Sequence, residues 1–289
     1  MSILNKKIDF SVVLTVSKAN PNGDPLNGNR PRQNYDGHGE ISDVALKRKI
    51  RNRLLDMGEN ILVQSNDKKN DNFNSLKERV ESVKELDDII KSKKSSPEEF
   101  AEKACEKWFD VRTFGQVFAY KGAAGGTGVS VGVRGPVSIH TATSVDPIDL
   151  TTMQITKSVN SEPVKDNGRG SDTMGMKHRV DFGVYVFHGS INTQLAEKTG
   201  FTDNDAEKIK EALISLFEND ASSARPEGSM EVNRVIWTEH NSKMGQHSAA
   251  KVHRALSVTA NTDEPKSIDD YSISLSSLDG LKMEELNGL

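Results

Sequence analysis

The sequence predicts an α+β fold in which strands and helices follow one another in a ferredoxin-like order interrupted by large insertions. Three observations predict it. Ile8, Phe10, Val12, Leu14 and Val16 alternate with Asp9, Ser11, Val13, Thr15 and Ser17, the period of two of a strand with one buried face. Residues 179–191 and 232–238 repeat that pattern, the first with Val180, Phe182, Val184 and Val186 set against Asp181, Gly183, Tyr185 and Phe187. Leu46, Ile50, Leu54 and Met57, and later Ala206, Ile209, Leu213, Leu216 and Phe217, recur at helical spacing instead. In chain order these segments give β-α-insertion-β-β-α-β.

Each element has a local reason. The first strand runs into Lys18-Ala-Asn-Pro-Asn-Gly-Asp-Pro-Leu-Asn-Gly-Asn-Arg-Pro-Arg32, whose Asn-Pro, Asn-Gly and Asp-Pro pairs demand turns and forbid regular structure. Ser42 stands before the first apolar ridge as an N-cap and Gly58 lies just beyond it, so a helix is expected over 42–57. Residues 65–107 begin rich in Asn, Asp, Lys and Ser and continue into charged helical patterns around 76–90 and 97–108. Leu76, Val80 and Val83, then Phe100, Ala104 and Trp108, give each a narrow face to bury, as expected of an inserted helical subdomain. Gly122-Ala-Ala-Gly-Gly-Thr-Gly128 implies close backbone approach to something, and Val129, Val131 and Val133 start a strand-like stretch over 129–140. Residues 151–177 hold few apolar side chains around Asn167-Gly-Arg-Gly170, the pattern of a protruding hairpin. Residues 263–289 read as an acidic, weakly structured tail with one strand at 271–275.

Composition excludes some functions. Among 289 residues, 35% are hydrophobic and 28% charged, and no apolar stretch approaches the roughly 20 residues a spanning helix needs. Residues 1–10 lack the apolar centre of a secretory signal, so no membrane partner and a cytoplasmic location are expected. The single cysteine, Cys105, forms no internal disulfide and reads as a buried small side chain on a helix. The net charge of −4 conceals segregation: residues 1–60 and 240–262 each carry +3, residues 195–239 and 263–289 each −5. Screening over about 8 Å lets a locally cationic surface bind a polyanion despite an acidic total.

The helix over 42–57 is the most informative element. At 100° per residue its apolar ridge covers about 0° to 80° from Leu46, while Lys47, Arg51 and Arg48 fall at about 100°, 140° and 200°. Three cations on one flank suit consecutive phosphates; a solvated basic face is the plainer alternative. The preceding loop adds Asn20, Asn22, Gly23, Arg30 and Arg32, so amides, backbone donors and cations converge on one end of the sheet. Base reading is not expected, because the polar face of the first strand offers no aromatic platform. The glycine-rich stretch matches neither a P-loop nor a dinucleotide fingerprint, so no nucleotide cofactor is expected.

Catalytic readings are weaker. His240, His247 and His253 lack the spacing of a zinc protease and read as surface or nucleic-acid-contacting residues; no metal ligands and no catalytic residues are assigned. His140, His178 and His188 read as unexceptional strand residues, and Trp108 and Trp237 as core. Asp24, Asp36 and Asp43 could hold a divalent ion, yet the first two are ordinary turn residues and the third sits where a helix dipole favours a carboxylate.

The run from Asn20 to Arg32, followed by Ile41-Ser-Asp and Leu46-Lys-Arg-Lys-Ile-Arg-Asn-Arg-Leu54, resembles the backbone subunit of type I CRISPR surveillance complexes, of the RAMP superfamily, and most closely the type I-C branch. Asp110-Val-Arg-Thr-Phe-Gly115, Val133-Arg-Gly-Pro-Val137, Gln154-Ile-Thr-Lys-Ser-Val-Asn160 and Gly170-Ser-Asp-Thr-Met-Gly-Met-Lys-His-Arg-Val180 extend the likeness. The resemblance implies a modified RNA-recognition-motif palm (1–64 and 180–262), a helical finger insertion (65–107), a glycine-rich palm/finger segment (108–150), a β-hairpin thumb (151–179) and an acidic C-terminal segment (263–289). It implies copies stacked head to tail along a crRNA, which pairs with target DNA. The other implied partners are the crRNA-processing cap subunit, the large and small subunits and, indirectly, a recruited helicase-nuclease. Mapped by motif, Asn20, Asn22, Lys47, Arg48 and Arg51 would be palm contacts, with Gly125, Gly126 and Arg134 bordering the groove. Lys157, Ser158, His178 and Arg179 would be guide contacts at the thumb base. Met174 would be an apolar wedge or a packing residue on a neighbouring copy. A rival reading is a metal-dependent endoribonuclease of the same superfamily acting through a loop aspartate; a general single-strand RNA-binding protein is a third.

Overall fold

The computed structural model describes residues 2–92, 96–120, 129–157 and 174–289. The chain opens with β1 (Ile8–Ala19), the short pair β2 (Gly23–Asp24) and β3 (Arg30–Pro31), β4 (His38–Ile41) and α1 (Asp43–Asp56). Four helices follow, α2 (Leu76–Glu81), α3 (Lys84–Lys91), α4 (Pro97–Lys107) and α5 (Phe109–Phe114), then β5 (Gly115–Tyr120) and β6 (Val129–Arg134). The next strands are β7 (Val137–Ile139), β8 (Ala142–Pro147), β9 (Leu150–Thr156) and the long β10 (Met174–Ile191). Helices α6 (Thr193–Thr199) and α7 (Asp203–Ile214) lead to β11 (Met230–Glu239). The chain ends with α8 (Ala249–His253), β12 (Leu256–Ala260), β13 (Tyr271–Leu275) and β14 (Lys282–Asn287).

The α+β expectation holds as a mixed domain around a central antiparallel sheet. That sheet runs β14-β11-β1-β10-β8-β4, with β7 and β9 also pairing β10. Its register sets Phe10 opposite Gly189, where a Cβ would stand 2.1 Å from the Phe10 ring, so only glycine fits. Phe10, Val12, Leu14 and Val16 are buried with Leu46, Ile50 and Leu54 of α1 and Ile209 and Leu213 of α7, and Phe10 stacks on Trp237. Ser42 caps α1 through the Ala45 amide, a contact of about 1 kcal/mol, and Gly58 follows with φ +90°.

Three expectations are corrected. First, β1 is buried on both faces: α8 and the β12–β13 hairpin cover its polar side, with Val13, Val184 and Tyr271 in a small second layer. His240 and His253 are therefore not surface residues. His240 donates Nε2–H to Asp9, with Nδ1 accepting from the Gln246 amide, and His253 bonds the Gly189 carbonyl. Second, the C-terminal segment is ordered, because β14 completes the edge of the main sheet by pairing with β11. Such an edge forms on backbone hydrogen bonds and demands little apolar pattern. Third, the helical pattern over 76–90 is two helices, since Val83 adopts extended backbone between them.

A second core joins Leu62, Val80, Leu86, Phe100, Cys105, Trp108 and Phe118 across α2–α5 and β5–β6. Buried Asp110 ties it to α1. Its carboxylate accepts from the Leu62 and Val63 amides at 2.7 and 3.1 Å and from Arg51 Nε at 2.9 Å.

Candidate nucleic-acid interface

Near the end of β1 the backbone is irregular at Lys18, with φ of +52°, before Ala19 pairs with Val180 and the chain enters the 20–32 loop. Asn20 is 4% exposed; its Nδ2 donates to the Asn29 carbonyl at 2.7 Å, and its Oδ1 has no hydrogen-bond partner. Asn22 accepts from the Ser42 amide at 2.9 Å, so it orients the start of α1 rather than offering a free amide to solvent. A Cβ at Gly23 would lie 2.0 Å from the Asn29 side chain and 3.1 Å from its carbonyl, so a larger residue there would displace that side chain.

Two cavities are walled by this loop and by the 219–225 loop after α7. The larger, about 330 Å³, is lined by Arg48, Lys49, Lys68 and Arg225 with the carboxylates Asp67 and Asp220, while Lys68 is also paired with Asp56 at 3.1 Å, and by Asn22, Asn52 and Ser222 as neutral polar groups. The Ser65 hydroxyl holds the Asp67 carboxyl below the usual range, so it stays ionised. Burial draws the Lys49 ammonium below its ordinary value, with the Asp220 carboxylate opposing that shift. The second, about 250 Å³, lies between Asn20, Asn29 and Ala224 on one side and Ile155, Met176 and His178 on the other. Cations and neutral polar groups thus gather where the 20–32 and 219–225 loops meet α1, a surface suited to a sugar-phosphate chain.

The expected residues divide. Asn20, Asn22, Gly23, Arg48 and His178 are brought to these cavities. Arg30 and Arg32 line a smaller polar pocket of about 170 Å³ beside them, with Arg32 3.6 Å from Asp24. Lys47 pairs with Asp43 at 2.9 Å. Arg51 is not on the cationic flank in effect: its guanidinium is spent on Asp110 and stacks over Phe114 at 4.9 Å. Arg134, exposed, ends β6 opposite Gly115, in the second core's ribbon. His178, 8% exposed, bonds Thr152 at 2.9 Å, and Arg179 lies 3.6 Å from Asp181. Lys157 follows β9 and is exposed; Gly125, Gly126, Ser158 and the rest of residues 158–173, where a hairpin is expected, lie outside the described residues. Met174 is 67% exposed at the start of β10, where residues 174–179 pair with β9 alone. The Asp24 carboxylate caps a 3₁₀ turn and that of Asp43 pairs with Lys47, the Asp36 amide donates to Asn34 within a turn, and no cluster of three metal-ligating side chains occurs among the described residues.

The family model of CRISPR-associated protein Cas7 matches residues 6–276. The chain belongs to the Cas7 family. A Cas7 from Haloferax volcanii is 25% identical over 235 residues, covering 77% of this chain and 67% of that protein. Two solved CRISPR RNA-guided surveillance complexes hold similar chains, one of them in a pre-nicking state. That chain has a TM-score of 0.48 at 14% identity, covering 80% of this chain and 78% of its own; the other has 0.43 at 17%, covering 80% and 68%.

In this Cas7-family chain the residues that sequence reasoning missed are Lys49, Asn52, Lys68 and the 219–225 loop. Lys49 sits among apolar ridge positions, and Arg225 belongs to a segment of net −5. The visible signals were the Arg-Pro pair at 225–226 and the small-residue run before it, which mark a tight loop.

Proposed function

We propose that the chain is a non-catalytic backbone subunit that binds crRNA in a type I-C CRISPR surveillance complex, assembling head to tail with copies of itself and presenting the guide for pairing with target DNA. The observation that carries this reading is the 330 Å³ cavity, lined by four cations against Asp67, Asp220 and the Asp56 partner of Lys68, beside the amide-rich 20–32 loop. Membership of the Cas7 family supports it, as does the closed sheet face: a subunit that must accept any spacer holds phosphate and ribose and leaves base edges to Watson–Crick pairing. In this arrangement Asn20, Arg48 and His178 contact the guide, and the β9–β10 ribbon is the thumb, with Met174 exposed on it. The cap, large and small subunits complete the assembly.

The test is the mass and RNA content of the complex that co-purifies with a tagged chain. Several copies per RNA, with repeat-derived flanks on the RNA, are expected. A monomer carrying no nucleic acid would overturn the reading.

A further inference from the structure

The 219–225 loop is held at three points. Lys68 donates to the Asn219 carbonyl at 2.6 Å, Asn219 in turn bonds Asp56 at 3.2 Å, and the Asn20 amide donates to the Ala224 carbonyl at 2.9 Å. The third anchor is the ion pair of Lys49 with Asp220, whose side chains are only 5% and 13% exposed. Asp220 also lies 3.4 Å from Arg225 Nε, which makes no hydrogen bond although that atom is buried. Two cations therefore share one carboxylate, and the triad keeps one positive charge on the wall of the larger cavity. A buried ion pair gains little stability over apolar residues of the same size, so its physical effect is directional: it fixes where its partners point. Lys49 occupies a helix position flanking the apolar ridge and rests over the Phe217 ring, where a Met or Leu would pack as well.

We propose that Lys49, acting through Asp220, is a positioning residue that aims Arg225 at an RNA phosphate in the larger cavity. This deepens the guide-binding reading and rests on it. Lys49 itself touches no RNA; Arg225 supplies the phosphate contact, and the surplus charge of the triad is neutralised by the bound phosphodiester.

The experiment measures the affinity of the full chain for a fluorescein-labelled single-stranded RNA with a repeat-derived flank, across a salt series. Each phosphate contact contributes about −0.7 to the slope of log K against log salt. Arg225→Ala should make the slope shallower by about 0.7. Lys49→Met should do the same although it contacts no phosphate, Lys49→Arg should restore most of the loss, and Lys49→Met with Arg225→Ala should equal Arg225→Ala alone. An unchanged slope in Lys49→Met, or additive losses in the double variant, would overturn the proposal. If Lys49→Met does not fold, Lys49→Met with Asp220→Leu, which removes both buried charges together and leaves the triad's net charge at +1, carries the same test. Wild-type protein that ignores RNA at low salt overturns the guide-binding reading itself, a result distinct from either outcome in the variants.

Discussion

Replacing Asp110 with Ala removes a buried carboxylate that joins the two cores. It leaves the Arg51 guanidinium, 13% exposed, without its anion, and strips the acceptor from the buried Leu62 amide and the half-buried Val63 amide. Breaking a buried ion pair from one side costs about 3–5 kcal/mol, and an orphaned buried donor costs about 1–3 kcal/mol. These overlap, because the helix and the 62–63 segment relax together, so a loss of about 5 kcal/mol is expected. That is a large fraction of a domain's stability of about 5–15 kcal/mol. The chain's two tryptophans make the assay specific, since Trp108 reports on the second core and Trp237 on the sheet. In urea, wild type should lose both signals together. In Asp110→Ala, followed in Trp108→Phe and Trp237→Phe backgrounds, Trp108 should be exposed at lower denaturant than Trp237. Coincident transitions, or a loss below about 1 kcal/mol, would refute the assignment of Asp110 as the joint.

Arg51→Met should destabilise the fold yet leave the salt dependence of RNA binding unchanged, whereas Arg48→Ala should spare stability and make the slope shallower by about 0.7; a fluorescence-anisotropy salt titration separates the two. Gly189→Ala should cost about 1–3 kcal/mol by thermal unfolding, because its new Cβ would overlap the Phe10 ring. Burial, with His253 stacked on it and His140 edge-on beside it, lowers the His188 imidazole to about 4. The unfolded chain takes up that proton near pH 6.5, so stability is complete above about pH 6.5 and falls by up to about 3 kcal/mol as pH drops towards 4. His188→Gln should weaken that dependence, and an unaltered pH profile of the denaturation midpoint would assign it to other groups.

The strands and helices were legible where one pattern dominates. Alternation in 8–16 and the ridge Leu46, Ile50, Leu54 placed β1 and α1 with their caps, because local burial and local backbone preference agree there. What covers the other face of β1 was not legible. Asp9 and Ser11 read as solvent-facing, yet they are buried polar groups satisfied by His240 and His188, partners 231 and 177 residues away. β14 was missed because edge pairing needs backbone groups rather than an apolar repeat. At the site, the angular argument found the cations of α1 but not their fates. Arg48 and Arg51 look alike on a helical wheel, and only the fold reveals that a buried aspartate waits for one of them. Counting charge by segment concealed Arg225, since a net of −5 over residues 195–239 averages its charge away.

The central claim is that the surface formed by α1, the 20–32 loop and the 219–225 loop grips sugar and phosphate without reading bases. Its most direct test compares the affinities of two guide RNAs with unrelated spacers and identical flanks over a range of salt. Equal affinities that fall together steeply as salt rises are expected. A strong preference for one spacer, or binding indifferent to salt, would contradict the account.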